Sequence, residues 1–234
     1  MVISKYFSAE RPLLLCAASS AETELVLSVF DEKSKSSGAW QTFHFGCCTV
    51  METGVGKSNA AGAVAVELLR AEVRQRKYAS VLVIGIGGGL SRELALGDAV
   101  LADSCVLVDE GTPLKGASKW RSLEESGFAQ LEFSSRKSEW WHELAGHVDR
   151  VGKIATVSTI SGFPEIAEAY EERSHALVEA MEGAAVAQVC ARFNVDFAEL
   201  RSISNICGNS DREENPWDIG KAFARLKKIL ERIR

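Results

Sequence analysis

Short apolar runs alternate with longer stretches whose hydrophobic positions recur every three to four residues. The runs 12–19 (PLLLCAAS), 43–52, 97–109, 152–159, 176–181 and 196–206 predict strands. The run 80–89 (SVLVIGIGGG) is continuously apolar before its glycines, as a strand covered on both faces reads. Helices are predicted over 21–30, 58–76, 138–149, 164–174 and 182–193, with a basic closing helix over 217–234. Residues 1–11 read as a flexible lead-in, and 110–140 as an irregular surface excursion. No Pro/Gly/Ser-rich linker and no internal repeat divides the 234 residues. The expected fold is therefore α/β: one domain over 1–234, a three-layer α/β/α sandwich with a central mixed sheet.

Charge and cysteine usage narrow the partners. A net charge of −5 argues against nucleic acid or an anionic membrane surface. No apolar run reaches the roughly 18 residues that span a bilayer. The six cysteines form no C-x-x-C pair, and most sit inside apolar runs, where a thiol behaves as a small hydrophobe. Unpaired thiols fit a reducing cytoplasm, the expected location. Neither a metal nor a cofactor is expected.

Gly56-Lys57-Ser58 reads like the end of a phosphate-binding loop, G-x-x-x-x-G-K-[ST]. The first glycine of that pattern falls at position 51, where the chain has Met51, so triphosphate binding is disfavoured. The Gly85-x-Gly87 pair likewise lacks the third glycine or alanine of a dinucleotide fingerprint, because Leu90 stands there. Gly87, Gly88 and Gly89 mark either a tight turn or backbone approaching a ligand.

In α/β sheets, ligands collect at the carboxyl ends of strands, and polar residues stand at several of those ends. Glu182 follows the strand ending at Met181 and precedes an almost wholly apolar helix. It is either a first-turn acid favoured by the helix dipole or a carboxylate for ligand hydroxyls. Asn205 ends the strand 196–206, and its amide can both donate and accept along a purine edge. Glu22 is spaced from Ser19 as in a capping box, and is equally placed to act as a general base.

In this order, TGVGKSNAA, GIGGGL…LGDAVLAD, MEGAAVAQVC and SNICGNSDREENPWDI resemble segments of the purine nucleoside phosphorylase/nucleosidase superfamily. The resemblance covers about 12–230, and M-E-G-x-A is its most specific motif. It implies that Glu22 activates a water, with Glu24 the fallback, that Glu182 holds the ribose hydroxyls, and that Met181 packs beneath the sugar. Asn205 would contact the departing base, and Ile86, Gly87, Gly88, Gly162 and Trp217 would line the substrate. Phe163 would either stack on the purine or pack in the core.

Within that superfamily, adenine-specific nucleosidases carry Asp at the position of Asn205. An amide there fits a 6-oxopurine better, so the resemblance implies hydrolysis of futalosine in menaquinone biosynthesis, releasing hypoxanthine. The open alternatives are a nucleosidase for methylthioadenosine/S-adenosylhomocysteine or aminodeoxyfutalosine, and a purine nucleoside phosphorylase. The loop 17–24 has no arginine for phosphate, which favours water as nucleophile. A homodimer or larger homo-oligomer is the expected assembly.

Overall fold

The structure is a computed structural model, and it describes residues 2–30, 35–36, 38–115, 119–209, 211 and 213–234. Its elements follow in the order α1 (Ile3–Tyr6), β1 (Leu13–Ala17), α2 (Ser20–Phe30), β2 (Thr42–Phe45), β3 (Cys48–Glu52), α3 (Lys57–Val73), β4 (Ser80–Gly89) and β5 (Ala99–Leu107). Then come β6 (Gly111–Pro113), β7 (Trp120–Ser122), β8 (Glu132–Ser134), α4 (Glu139–Ala145), β9 (Arg150–Thr156) and α5 (Pro164–Ser174). The chain closes with β10 (Val178–Ala180), α6 (Gly183–Phe193), β11 (Asp196–Ile206) and α7 (Ile219–Ile233).

The apolar run of β4 sits at the centre of the sheet, parallel to β1 on one side and to β11 on the other. The path runs β10-β9-β5-β11-β4-β1-β3-β2, with β8 added at β5. Antiparallel pairs β11–β5 and β2–β3 make the sheet mixed. β10 also pairs antiparallel with β4, so β4, β10, β9, β5 and β11 close a ring of pairings.

Both faces are covered, as a sheet without a polar face requires. Val64 and Leu68 of α3 and Ala184 and Val186 of α6 bury one face. Val26 and Leu27 of α2, Leu226 and Ile229 of α7 and Trp140 of α4 bury the other. α7 shows the cause most simply: Ala222, Leu226, Ile229, Leu230 and Ile233 form one buried stripe, while Lys227, Lys228 and Arg232 are exposed.

The structure corrects three expectations and decides between two readings of a fourth stretch. Residues 43–52 are two antiparallel strands, because Gly46, at φ +58°, reverses the chain between them. The glycines of 85–89 belong to β4, which has the predicted bounds 80–89, so of their two open readings the tight turn is ruled out. The lead-in, expected to be loose, contains α1 (Ile3–Tyr6), with Ile3 and the following Phe7 buried and Phe7 edge-on to Trp140. The excursion 110–140 contains three short strands, and β8 joins the main sheet. Among the described residues, no helix is long and apolar enough to cross a membrane.

Candidate active site

At the carboxyl ends of β1, β4, β10 and β11 lies a cavity of about 450 Å³. Glu22, Ile86, Gly87, Gly88, Gly162, Met181, Glu182, Asn205 and Trp217 all line it. Phe163 is not among the lining residues; it is 63% exposed at the N-terminus of α5, so its ring does not pack in the core. Glu24 is exposed and outside the lining, so Glu22 is the acid that reaches the cavity.

Glu22 is both capping-box acid and cavity wall. Its Oε2 accepts from the Ser19 amide (3.0 Å) and hydroxyl (2.8 Å), while Oε1 accepts from the Ile86 amide (2.9 Å). Three donors from two elements fix the carboxylate between the start of α2 and the end of β4.

Glu182 stands at the N-cap of α6 but does not cap it; Thr156 of β9 does, its hydroxyl accepting from the Ala184 amide (2.8 Å). Glu182 instead accepts from the Gly56 amide (3.0 Å) and from Arg201 Nη2 (2.8 Å). Gly56, at φ +93°, adopts a backbone conformation that favours glycine and presents this N–H across the cavity floor. Lys57 pairs with Asp109 and with Glu110 (3.2 Å to the latter), clamping α3 to the segment after β5. Gly56 and Lys57 are therefore committed to protein partners, as the failed phosphate-loop pattern implied.

Arg201 is the hub that sequence reasoning missed. Buried in β11, it donates from Nε to Glu199 (2.8 Å), from Nη2 to Glu182 and from Nη1 to the Ile86 carbonyl (3.1 Å). Burial works against its charge, but Glu199, Glu182 and Glu22 more than offset that and hold the guanidinium above its ordinary pKa. Glu199, fully buried, also accepts from the Cys105 thiol (2.9 Å). A side chain at Gly183 would overlap the Glu199 carboxylate outright, which explains the glycine that follows Glu182.

Asn205 owes its position to a β-bulge. Ile203 is in register with Gly87 and Asn205 with Gly88, leaving Ser204 as the extra residue. The Ser204 hydroxyl donates to Asn205 Oδ1 (2.9 Å), so the amide N–H₂ is the group left for a ligand. A further buried acid lines the cavity: Glu179 of β10 accepts from the Ser161 hydroxyl (2.7 Å) and amide (3.1 Å). Burial raises its carboxyl above the usual carboxylate range, and the Ser161 bonds only partly counter this.

Comparison with known proteins gives the family. The family model described as "Phosphorylase superfamily" matches residues 13–233. The chain belongs to the phosphorylase superfamily. It is 34% identical to futalosine hydrolase of Streptomyces coelicolor, over 79% of this chain and 77% of that one. To futalosine hydrolase of Acidothermus cellulolyticus it is 32% identical, over 92% and 86%. The native structure of futalosine hydrolase of Helicobacter pylori superposes with a TM-score of 0.73 at 20% identity, covering 96% and 97%, a likeness of fold.

In this superfamily member, the residues missed from the sequence share one signal. β11 carries Glu199 and Arg201 two apart in an otherwise apolar strand, hence on one face of a sheet that is buried on both sides. Charges placed there must pair. Glu179, inside the apolar segment before Met181, gives the same signal.

Proposed function

We propose that this protein is a nucleosidase that hydrolyses the N-glycosidic bond of futalosine and releases hypoxanthine. The observation that carries this reading is the charge of the cavity. Its described lining includes the carboxylates of Glu22, Glu179 and Glu182 and no Lys, Arg or His side chain. Such a cavity favours a sugar on which positive charge builds and repels phosphate. Arg201, the cation paired with Glu182, also donates to Glu199 and a carbonyl. Water is then the nucleophile.

In this reading Glu22 takes a proton from the water as its oxygen bonds to the anomeric carbon, a general-base role typically worth roughly 10²–10⁴-fold. Glu182 binds the ribose hydroxyls above Met181. As the bond to the purine breaks, the Asn205 N–H₂ hydrogen-bonds the departing base, and that bond strengthens as negative charge develops. Val55, Ile160 and Ile219, apolar and exposed at the cavity, support a homo-oligomer whose neighbouring copy covers the mouth. Six free thiols fit work in the cytoplasm.

The test is incubation with futalosine, inosine and methylthioadenosine, each with and without phosphate, following base release. Hypoxanthine from futalosine without phosphate is the expected result. Release that requires phosphate, or adenine release from methylthioadenosine alone, refutes the reading.

A further inference from the structure

Lys57 has no part in the proposed chemistry, although it follows the glycine whose amide holds Glu182. Its ammonium group pairs with Asp109 and Glu110, and the Lys57 and Asp109 side chains are only 14% and 16% exposed. An ion pair withdrawn this far from water adds little net stability, so stability alone does not account for it.

The contacts around Lys57 close a ring. The Gly56 amide donates to Glu182 Oε1 (3.0 Å), and the next residue, Lys57, is tied to Asp109. Val108, beside Asp109, donates its amide to the Thr156 carbonyl (3.3 Å). The Thr156 hydroxyl accepts from the Ala184 amide (2.8 Å), two residues beyond Glu182. The ring thus returns to the carboxylate where it began. The Lys57–Asp109 pair is its one link between two side chains; every other link has a backbone group on at least one side.

Asp109 also carries a second arm. Its Oδ2 accepts from the Ser158 amide (2.6 Å), and Ser158 leads into the segment whose Ile160, Ser161 and Gly162 line the cavity. The Tyr170 hydroxyl donates to the Thr159 carbonyl (3.0 Å) of the same segment. One ion pair therefore joins the Glu182 side of the cavity to its 160–162 side. We propose that Lys57 is a positioning residue: it aims the Gly56 amide at Glu182 and, through Asp109, holds the 158–162 segment in place. Glu182 then meets the developing charge on the sugar without reorganising. The assignment rests on the nucleosidase reading only for its consequence in turnover.

Hydrogen exchange and steady-state kinetics on Lys57→Met and Asp109→Asn test it. In Lys57→Met, peptides spanning Gly56 and 158–162 are expected to exchange at least roughly tenfold faster, with β4 unchanged. Its kcat for futalosine is expected to fall at least roughly tenfold, while Tm moves by less than about 4 °C. Asp109→Asn keeps an acceptor for the Ser158 amide, so exchange should rise around Gly56 and stay slow over 158–162. Unchanged exchange around Gly56 in both variants overturns the assignment, whatever the substrate. A merely structural pair predicts a lowered Tm with kcat of the folded protein within about threefold of wild type, and that result overturns it too. If Lys57→Met does not fold, Asp109→Asn carries both readouts. If both segments loosen as expected but wild-type protein cleaves no nucleoside, the hydrolase reading fails and the positioning role stands.

Discussion

Replacing Gly85 by alanine puts one methyl group where two side chains already meet. A Cβ at that position would lie 2.7 Å from Arg201 Nη1 and 3.1 Å from Glu22 Cδ, with Glu22 Oε1 closer still. Ordinary van der Waals contact begins at 3.4 Å, so the guanidinium must retreat by about 0.7 Å and the carboxylate oxygen by about 1 Å. Neither can do so freely. Arg201 is held by Glu199, Glu182 and the Ile86 carbonyl, and Glu22 by Ser19 and the Ile86 amide. Overpacking of this kind costs about 1–3 kcal/mol, or roughly 2–4 °C in Tm for each kcal/mol in a chain this long. A displacement of about 1 Å in a proposed general base is worth roughly 10²-fold in rate. The expected outcome is a folded protein with kcat for hypoxanthine release from futalosine lowered roughly 10²-fold. Gly89→Ala is the control, because its nearest neighbours are the tips of Ile206 and Ile203, at 3.2 and 3.4 Å, and it should keep near-normal turnover. Steady-state kinetics and thermal melts on the two variants decide the matter. A Gly85→Ala protein within about threefold of wild-type kcat would refute the crowding argument.

Other perturbations probe the same network. Glu182→Gln should nearly abolish turnover, roughly 10²-fold or more in kcat, with an unchanged far-UV circular dichroism spectrum; near-normal activity removes Glu182 from the site. Arg201→Met leaves Glu199 and Glu182 buried without their cation and should destabilise by about 3–5 kcal/mol, read as a lowered urea midpoint; a loss below about 1 kcal/mol means the charges rearrange. Glu179 binds its proton more tightly when folded, so its contribution to stability is greatest in acid and falls as pH rises from the ordinary carboxylate pKa through its raised folded one. Cys207 and Tyr170 beside it are pushed up, Tyr170 to about 12, and do not titrate in that window. The Tm of Glu179→Gln relative to wild type should therefore increase from pH 4.5 to 8, and a constant difference contradicts the raised pKa.

How far the sequence reached depended on whether a residue's role is local. The helix 164–174 was readable to the residue, because Pro164 opens it and its polar composition persists to Ser174. Glu22, Glu182 and Asn205 were legible as polar groups at strand ends, and all three line one cavity. The glycines of 85–89 left two readings open, because a turn and a close approach look identical in sequence. What demands glycine at 85 is the pair Glu22 and Arg201, which lie 63 residues before it and 116 after it. The bulge at Ser204 was hidden for a similar reason, since only the register of β11 against β4 reveals the extra residue. Phe163 is a different case: an aromatic beside a glycine at a strand end suggests either stacking or core packing, and its 63% exposure removes the core packing.

The distribution of charge also explains why this cavity is suited to hydrolysis and poorly suited to phosphorolysis. One guanidinium serves Glu182 and Glu199 directly and lies beside Glu22, so carboxylates outnumber the cation at the floor of the site. Phosphorolysis would bring a further anion against that surplus, with no described basic side chain in the lining to receive it. A cationic sugar meets the reverse situation, and the network is built before substrate arrives, held by Gly56, Ser19 and Ile86 backbone donors that do not reorganise. The surplus should lower stability in the free protein. Reversing it is therefore a direct probe: an arginine introduced at Ala21, exposed on the cavity rim, should admit phosphate as an inhibitor competitive with nucleoside, whereas the unmodified site should ignore phosphate at the same concentration. Equal inhibition of both by phosphate would mean that repulsion at the floor is not what selects water.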